Sequence, residues 1–360
     1  MSEYYIGVMS GTSMDGIDIA LCLIDESSCK LEAYEEYPFP STLKEKLLAV
    51  IETGSTLQTI GTLHTQLGKL FGDKITQFLH AHKINPANIK AIGLHGQTLW
   101  HEPNAQDAFS MQLGDANRVV AQTNITTITD FRNADIAHGG EGAPFAPAFH
   151  NFLFHKQERK VGVLNIGGMA NISILGENLR GWDTGCGNVL LDMWIHKTHN
   201  KAFDENGDLA RSGKVDEALL QKMMQDEYFT KLPPKSTGRE YFNASWLESK
   251  LPLFHTTSDA DMQRTLLELT AQSIAKDVNK EKLQELILCG GGAKNIFLLE
   301  RLSALCSANI VTSDEYDVPS QAIEAMAFAW FAYKRIHNEV VELSSVTGAK
   351  KNSLLGAIYG

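Results

Sequence analysis

From residue 6 the chain reads Ile6-Gly7-Val8-Met9-Ser10-Gly11-Thr12-Ser13-Met14-Asp15-Gly16-Ile17-Asp18-Ile19-Ala20-Leu21, and no other part of it is as informative. Apolar, β-branched runs over residues 4–9 and 17–24 flank a polar centre, which predicts two paired strands joined by a tight turn. Gly11 and Gly16 tolerate positive φ, while Ser10, Thr12 and Ser13 bring hydroxyls and Asp15 a carboxylate. A turn of this composition can direct several backbone N–H groups into one concavity, as a polyphosphate requires. A carboxylate beside it suits a phosphate-bound Mg²⁺, directly or through water. In isolation, a polar hairpin with an aspartate in its turn reads the same way.

The pattern recurs. Val161-Gly162-Val163-Leu164-Asn165-Ile166-Gly167-Gly168-Met169-Ala170-Asn171-Ile172 is again an apolar strand, a glycine turn and an apolar strand. A third element, Leu286-Ile287-Leu288-Cys289-Gly290-Gly291-Gly292-Ala293-Lys294-Asn295, predicts a strand, a turn of bare backbone and a helix over 296–305. Singly, a triple glycine is a weak signal. The Rossmann spacing G-x-G-x-x-G and the Walker A motif are both missing, which disfavours those nucleotide folds. Two matching hairpins predict a duplicated architecture whose turns face each other across a cleft.

Between these elements, the apolar spacing of Leu63, Leu67, Leu70, Phe71, Ile75, Phe78 and Leu79 predicts a core-facing helix. Short strands are expected at 89–94, ending in His95-Gly96-Gln97-Thr98, and at 126–129. Gly139, Gly140, Gly142, Pro144 and Pro147 suggest a crossover. The chain therefore divides, on this reading, into an N-terminal α/β domain over 1–132 and a C-terminal α/β domain over 133–360, with the path of 344–360 open.

With 360 residues, 43% hydrophobic and 21% charged, the composition is that of an ordinary globular protein with room for two domains. A net charge of −11 without a Lys/Arg-rich block argues against nucleic-acid or anionic-membrane partners. The N-terminus shows no signal-peptide pattern, and the five cysteines form no CxxC pair, which together predict reduced thiols in a cytoplasm. The histidines show no zinc-like spacing with cysteines. A homodimer is compatible with the sequence, which does not give the oligomeric state.

Three glycine turns in the order hairpin, hairpin, strand–helix resemble the actin, sugar kinase and heat-shock-protein ATPase superfamily. That resemblance implies a two-domain, duplicated ribonuclease H-like α/β fold closing on ATP. In detail, residues 6–18, Leu94-His95-Gly96-Gln97-Thr98, Asn165 to Ile172, Asp183-Thr184-Gly185-Cys186-Gly187-Asn188, Pro233-Pro234-Lys235-Ser236-Thr237-Gly238-Arg239-Glu240, the triple-glycine segment and Ala322-Ile323-Glu324-Ala325-Met326-Ala327 resemble the bacterial anhydro-N-acetylmuramic acid kinases. The resemblance spans nearly the whole chain. It implies a kinase of cell-wall recycling that opens the 1,6-anhydro bridge of the sugar with water and phosphorylates O6 at the expense of ATP and Mg²⁺.

That chemistry needs a carboxylate base for the attacking water and neutralisation of phosphate charge. Asp183 is the expected base; as a bare sequence feature it would read as a turn carboxylate satisfying backbone N–H groups. The first phosphate turn is Gly11, Thr12, Ser13, Met14, Asp15, Gly16, Ile17 and Asp18, with Asp15 for the metal and Ile17 itself in the core. Gly167 and Gly168 form the second turn, and Gly290, Gly291 and Gly292 border the nucleoside. Arg132 offers a bidentate fork to the lactyl carboxylate, unless Asp130 or Asp135 pairs with it. Glu324, expected buried in an apolar helix and so in need of a partner, and Gln97 are candidates for the sugar. Lys235 and Arg239 read as solvated cations of a Pro-rich loop or, alternatively, as part of a loop that closes over the substrate, Asp192 as a solvated or paired surface charge, and Trp100 and Phe131 as packing. Competing readings are another sugar or carboxylate kinase of the superfamily, an actin-like ATP-binding assembly protein, and a glycoside hydrolase acting through two carboxylates without ATP.

Overall fold

The computed structural model describes residues 1–12, 14–156, 158–251 and 257–360. Its contacts divide the chain into one compact unit of Met1–Leu153 with Ala322–Gly360 and a second of Phe154–Gln321. The division thus differs from a single cut at 132/133. Residues 133–153 stay with the first unit, and the chain returns to it at Ala322.

In the first unit β1 (Glu3–Met9), β2 (Gly16–Ile24) and β3 (Cys29–Pro38) form an antiparallel meander. Next, β4 (Ile89–Leu94) pairs parallel to β1; β5 (Gln97–Glu102) and β6 (Phe109–Leu113) make a separate hairpin, and β7 (Thr127–Thr129) pairs parallel to β4. In the second unit β8 (Val161–Ile166), β9 (Met169–Ile174) and β10 (Arg180–Cys186) repeat the meander, and β11 (Glu285–Cys289) and β12 (Asn309–Thr312) follow in parallel. The last strand, β13 (Ala357–Tyr359), adds antiparallel to β7, which gives residues 344–360 their path. The sheet orders are β13-β7-β4-β1-β2-β3 and β10-β9-β8-β11-β12.

Leaving out β13, the two sheets share one order and one set of strand directions. This is the duplicated ribonuclease H-like α/β arrangement. The β1–β2 turn is thereby equivalent to the β8–β9 turn, and the chain leaving β4 to the chain leaving β11. Both exits use a left-handed glycine, Gly96 at φ 78° and Gly290 at φ 79°.

Each unit has its own core. The helix Leu57–Ala81, started by the Thr56 hydroxyl accepting from Thr59 N, buries Leu63, Leu67, Phe71, Ile75, Phe78 and Leu79 at the expected spacing. Full burial of such side chains stabilises by about 1.5–3 kcal/mol each. The helix Ile323–Ile336 lies so close on β1 and β4 that a Cβ at Gly7 would stand 1.8 Å from Ala325 O, and one at Gly93 1.9 Å from Phe328 O. Only glycine permits that approach. In the second unit the core is formed around Leu164, Trp182, Leu267, Ile274 and Leu288. Among the described residues no helix is long and apolar enough to cross a membrane.

Candidate active site

In the first unit the turn between β1 and β2 is braced from inside. Ser10 Oγ donates to Gln97 Oε1 at 2.8 Å and Gln97 Nε2 donates to Gly11 O at 3.2 Å. Gln97 is fully buried, so its amide is spent on the turn and is not open to a ligand. Met14 takes a positive φ of 52°, donates N–H to Gly11 O at 3.1 Å and is buried with Ile17. Those two side chains anchor the turn in the core, leaving backbone as what the turn can offer. Asp15 points outward and pairs with Lys44 at 3.0 Å. Ser13 lies outside the described residues; Thr12 is in the turn and Gly16 begins β2.

Asp18, the third residue of β2, stands opposite Met9 and accepts from Tyr34 Oη at 2.6 Å. Burial pushes its pKa up to about 6, and neighbouring Glu36 adds to the rise. Arg132 pairs with neither Asp130 nor Asp135. Asp130 accepts from Asn133, and Asp135 is held by Gly142 N and the Thr347 hydroxyl. Arg132 instead donates from Nη1 to Gly142 O at 2.7 Å and from Nη2 to His95 Nε2 at 3.0 Å. A guanidinium only donates, so Nε2 accepts and the His95 proton sits on Nδ1. Burial, then the Arg132 charge, lowers the His95 pKa to about 3, so the ring is neutral.

Glu324 is not buried. It stands in the first turn of the helix Ile323–Ile336, is open to solvent, and has no hydrogen bond among the described residues. Protein still crowds the carboxylate, so loss of surrounding water, then the charge of Asp18, raises its pKa while Arg132 lowers it. Asp18, Arg132 and Glu324 thus form one electrostatic group, with the Glu324 carboxylate free to take a ligand. Trp100, expected in packing, is 48% exposed, because the separate β5–β6 hairpin presents that face outward; Phe131 is buried.

In the second unit Gly167 and Gly168 make the β8–β9 turn. Gly187, Asn188 and Val189, entering the helix Val189–His199, donate their N–H groups to the carbonyls of Gly168, Gly167 and Gly168 at 2.9, 2.8 and 3.1 Å. Asp183 lies within β10, at the irregularity between Asp183 and Gly185, and not at the mouth of a turn. The segment 235–239 runs alongside. Asp183 N donates to Lys235 O at 3.0 Å, and Thr237 N donates to Asp183 Oδ2 at 2.9 Å. Burial raises the Asp183 pKa to about 6, opposed by the Thr237 bond and the Lys235 charge. Oδ1 has no hydrogen bond among the described residues. A carboxylate held by one oxygen, open at the other and titrating near neutrality is suited to accept a proton.

Lys235 departs from expectation: its side chain is only 4% exposed and pairs with Asp277 at 3.6 Å, over the ring of Tyr228. Tyr228 Oη in turn donates to Asp183 O at 2.9 Å. Gly291 and Gly292 line a recess of about 490 Å³ with Leu191, Asp192, Phe203 and Asn206. Asp192 is therefore a wall residue of that recess and not a surface charge. A Cβ at Gly292 would stand 2.3 Å from Ile166 Cγ2, whereas one at Gly291 meets nothing within 4 Å. The first glycine is needed for packing and the second leaves the recess open. Sequence reasoning gave His95 no role and read Asp192 as a surface charge and Lys235 and Arg239 as solvated cations of a loop that could close over the substrate, although His95-Gly96-Gln97 and Pro233 to Glu240 stood out as motifs.

The family model for anhydro-N-acetylmuramic acid kinase matches residues 3–360. The chain is 54% identical to the anhydro-N-acetylmuramic acid kinase of Sulfurovum sp. (strain NBC37-1), over 99% of each chain. It is 51% identical to that of Sulfurimonas denitrificans, over the full length of both. Among solved structures it aligns with component A of the (R)-2-hydroxyglutaryl-CoA dehydratase of Acidaminococcus fermentans, at 12% identity over 93% of this chain and 99% of that one, with a TM-score of 0.48.

Proposed function

The chain belongs to the anhydro-N-acetylmuramic acid kinase family, and from that premise we propose that it uses ATP to convert 1,6-anhydro-N-acetylmuramic acid into N-acetylmuramic acid 6-phosphate and ADP. One observation carries this reading: more than half of the residues are shared, end to end, with a relative named for that activity. The reaction belongs to cell-wall recycling. A cytoplasmic location, where ATP is found, accords with that reaction and is part of this proposal.

In the proposed reaction a water attacks the anomeric carbon, the bridge C–O bond breaks, and O6 takes the γ-phosphoryl group from ATP. Asp183 accepts the proton from the water. Its raised pKa favours that role, since a base titrating near 6 is largely ionised at neutral pH yet retains proton affinity. Thr237 N holds one oxygen and so orients the other.

We assign the turn from Gly11 to Asp18, with Gly167 and Gly168, to the phosphates, and Gly290 to Gly292 with the adjoining recess to the nucleoside. Arg132 and Glu324 are assigned to the sugar. Arg132 is restrained by His95 and Gly142 and makes no ion pair among the described residues, Glu324 acting on it only at longer range, which leaves its remaining donors for the lactyl group. Gln97 acts through the turn it braces. Mg²⁺ neutralises phosphate charge when it arrives with the nucleotide, and Asp15 is the proposed protein carboxylate for it. Lys44 already stands at 3.0 Å from Asp15, which favours contact through water.

The test is ADP release with and without the anhydro sugar and Mg²⁺. Release should require both. Faster turnover with N-acetylglucosamine or acetate as acceptor would replace this substrate by another of the superfamily.

A further inference from the structure

The sequence reading leaves Arg239 either to solvent or to a loop closing over the substrate, and its surroundings in the second unit give it a task. It is exposed, and among the described residues its guanidinium makes no hydrogen bond and no ion pair. A methyl group placed at Gly168 would stand 3.8 Å from both Nε and Nη2 of Arg239, so the guanidinium lies against the β8–β9 glycine turn. It also lies within electrostatic reach of Asp192, on the wall of the recess that Gly291 and Gly292 border. Arg239 therefore stands near both the turn and the recess.

That is where a nucleotide's phosphates would have to pass if its nucleoside filled the recess. The recess walls carry Asp192, Asp204 and Glu205 against one cation, Lys294, whose Nζ donates to Gln321 at 2.9 Å. Such a wall repels phosphate and tolerates the uncharged nucleoside. The charge of the phosphates must be met outside it, and a planar fork of five donors is suited to that. The side chain belongs to the segment that anchors the expected base, since Thr237 N binds Asp183 and Arg239 follows two residues later. The Thr237 hydroxyl is itself buried without a hydrogen-bond partner among the described residues, so the segment has polar groups still to satisfy.

We propose that Arg239 binds the polyphosphate of ATP at the Gly167–Gly168 turn and, through the segment 235–239, couples nucleotide occupancy to the placement of Asp183. This rests on the nucleotide reading given above. Arg239 is then a phosphate-contacting residue of the reaction, and Thr237 a positioning residue. Lysine would supply the charge without the fork and should restore only part of the effect.

The experiment is calorimetry of wild type, Arg239→Ala and Arg239→Lys with magnesium AMPPNP and with adenosine, alongside ADP release with the anhydro sugar. The alanine variant should bind AMPPNP at least tenfold more weakly and adenosine within twofold of wild type, with the lysine variant between. Its turnover should fall 100-fold or more, in line with the about 10³–10⁵-fold worth of arginines that meet transferring phosphoryl groups. Unchanged melting temperatures exclude misfolding as the cause. Equal AMPPNP affinity in wild type and alanine variant overturns the assignment. If wild type binds AMPPNP but releases no ADP with the sugar, the sugar-kinase reading fails while the Arg239 result stands on its own. A wild type that binds no AMPPNP overturns both.

Discussion

Asp183 shows how one side chain can carry a testable mechanism. Its carboxyl is pushed up to about 6 chiefly by burial, and Thr237 N holds one oxygen. The folded protein therefore keeps this proton more tightly than the unfolded chain, whose aspartate has the ordinary value of 3.8. Through this group, folding stability declines as pH rises from about 4 to 6 and is level above that. Activity runs the other way, with kcat/KM climbing through a pKa near 6 as the base form appears. In Asp183→Asn the limb near 6 should disappear and turnover should fall about 10²–10⁴-fold. Because the substitution removes a charge from a desolvated place, the melting temperature at pH 7.5 should be no lower than wild type. A stability loss with activity retained would return Asp183 to the role of a structural turn carboxylate. Measuring both on one preparation decides it.

At the level of elements, the glycines separate into those that let backbones meet and those that leave room for a ligand. Gly93 belongs to the first kind. Adding a methyl group there drives it into the carbonyl of Phe328, and overpacking of this sort costs about 1–3 kcal/mol or more. Gly93→Ala should lower the denaturation midpoint and, by displacing the helix Ile323–Ile336 with Glu324 on its first turn, weaken sugar use. Gly291 belongs to the second kind. An alanine there meets nothing within 4 Å, so Gly291→Ala should fold with unchanged stability, yet weaken nucleotide binding by narrowing the recess. Calorimetry with magnesium AMPPNP beside chemical denaturation checks both variants. Equal nucleotide affinity in Gly291→Ala would remove the third glycine turn from the nucleoside site.

For the whole molecule, the order of the chain has a consequence of its own. The second unit is one continuous segment, whereas the first is completed only after it, by the helix Ile323–Ile336 and the strand β13. That helix covers β1 and β4 through the close approach at Gly7 and Gly93. A chain ending at Gln321 would leave this face of the sheet bare. Such a truncation should keep hydrogen-exchange protection in β8 and β11 while losing it in β1 and β4. Equal protection in both sheets would mean that the first unit does not need its C-terminal return. The duplication also explains why the two hairpins look alike in sequence. Both open an antiparallel meander of the same order, and each sheet then adds two parallel strands.

Much of this is determined by local sequence. The β1–β2 and β8–β9 hairpins, the strand over 89–94 and the helix over 296–305 follow from apolar periodicity and glycine placement, which act over a few residues. The family was legible through the resemblance of whole motifs spread from residue 6 to about 330. Other features depend on contacts between residues far apart in the chain, which no local pattern records. Gln97 became a brace because Ser10 and Gly11 lie against it. Lys235 became buried because Asp277 and Tyr228 receive it, and Glu324 became open because it begins its helix instead of lying within it. The boundary between the units is likewise set by the return of the chain at Ala322. Local propensity determined which elements form, and the resemblance of whole motifs pointed to the chemistry; long-range packing decided which side chains are spent on structure and which remain free for a ligand.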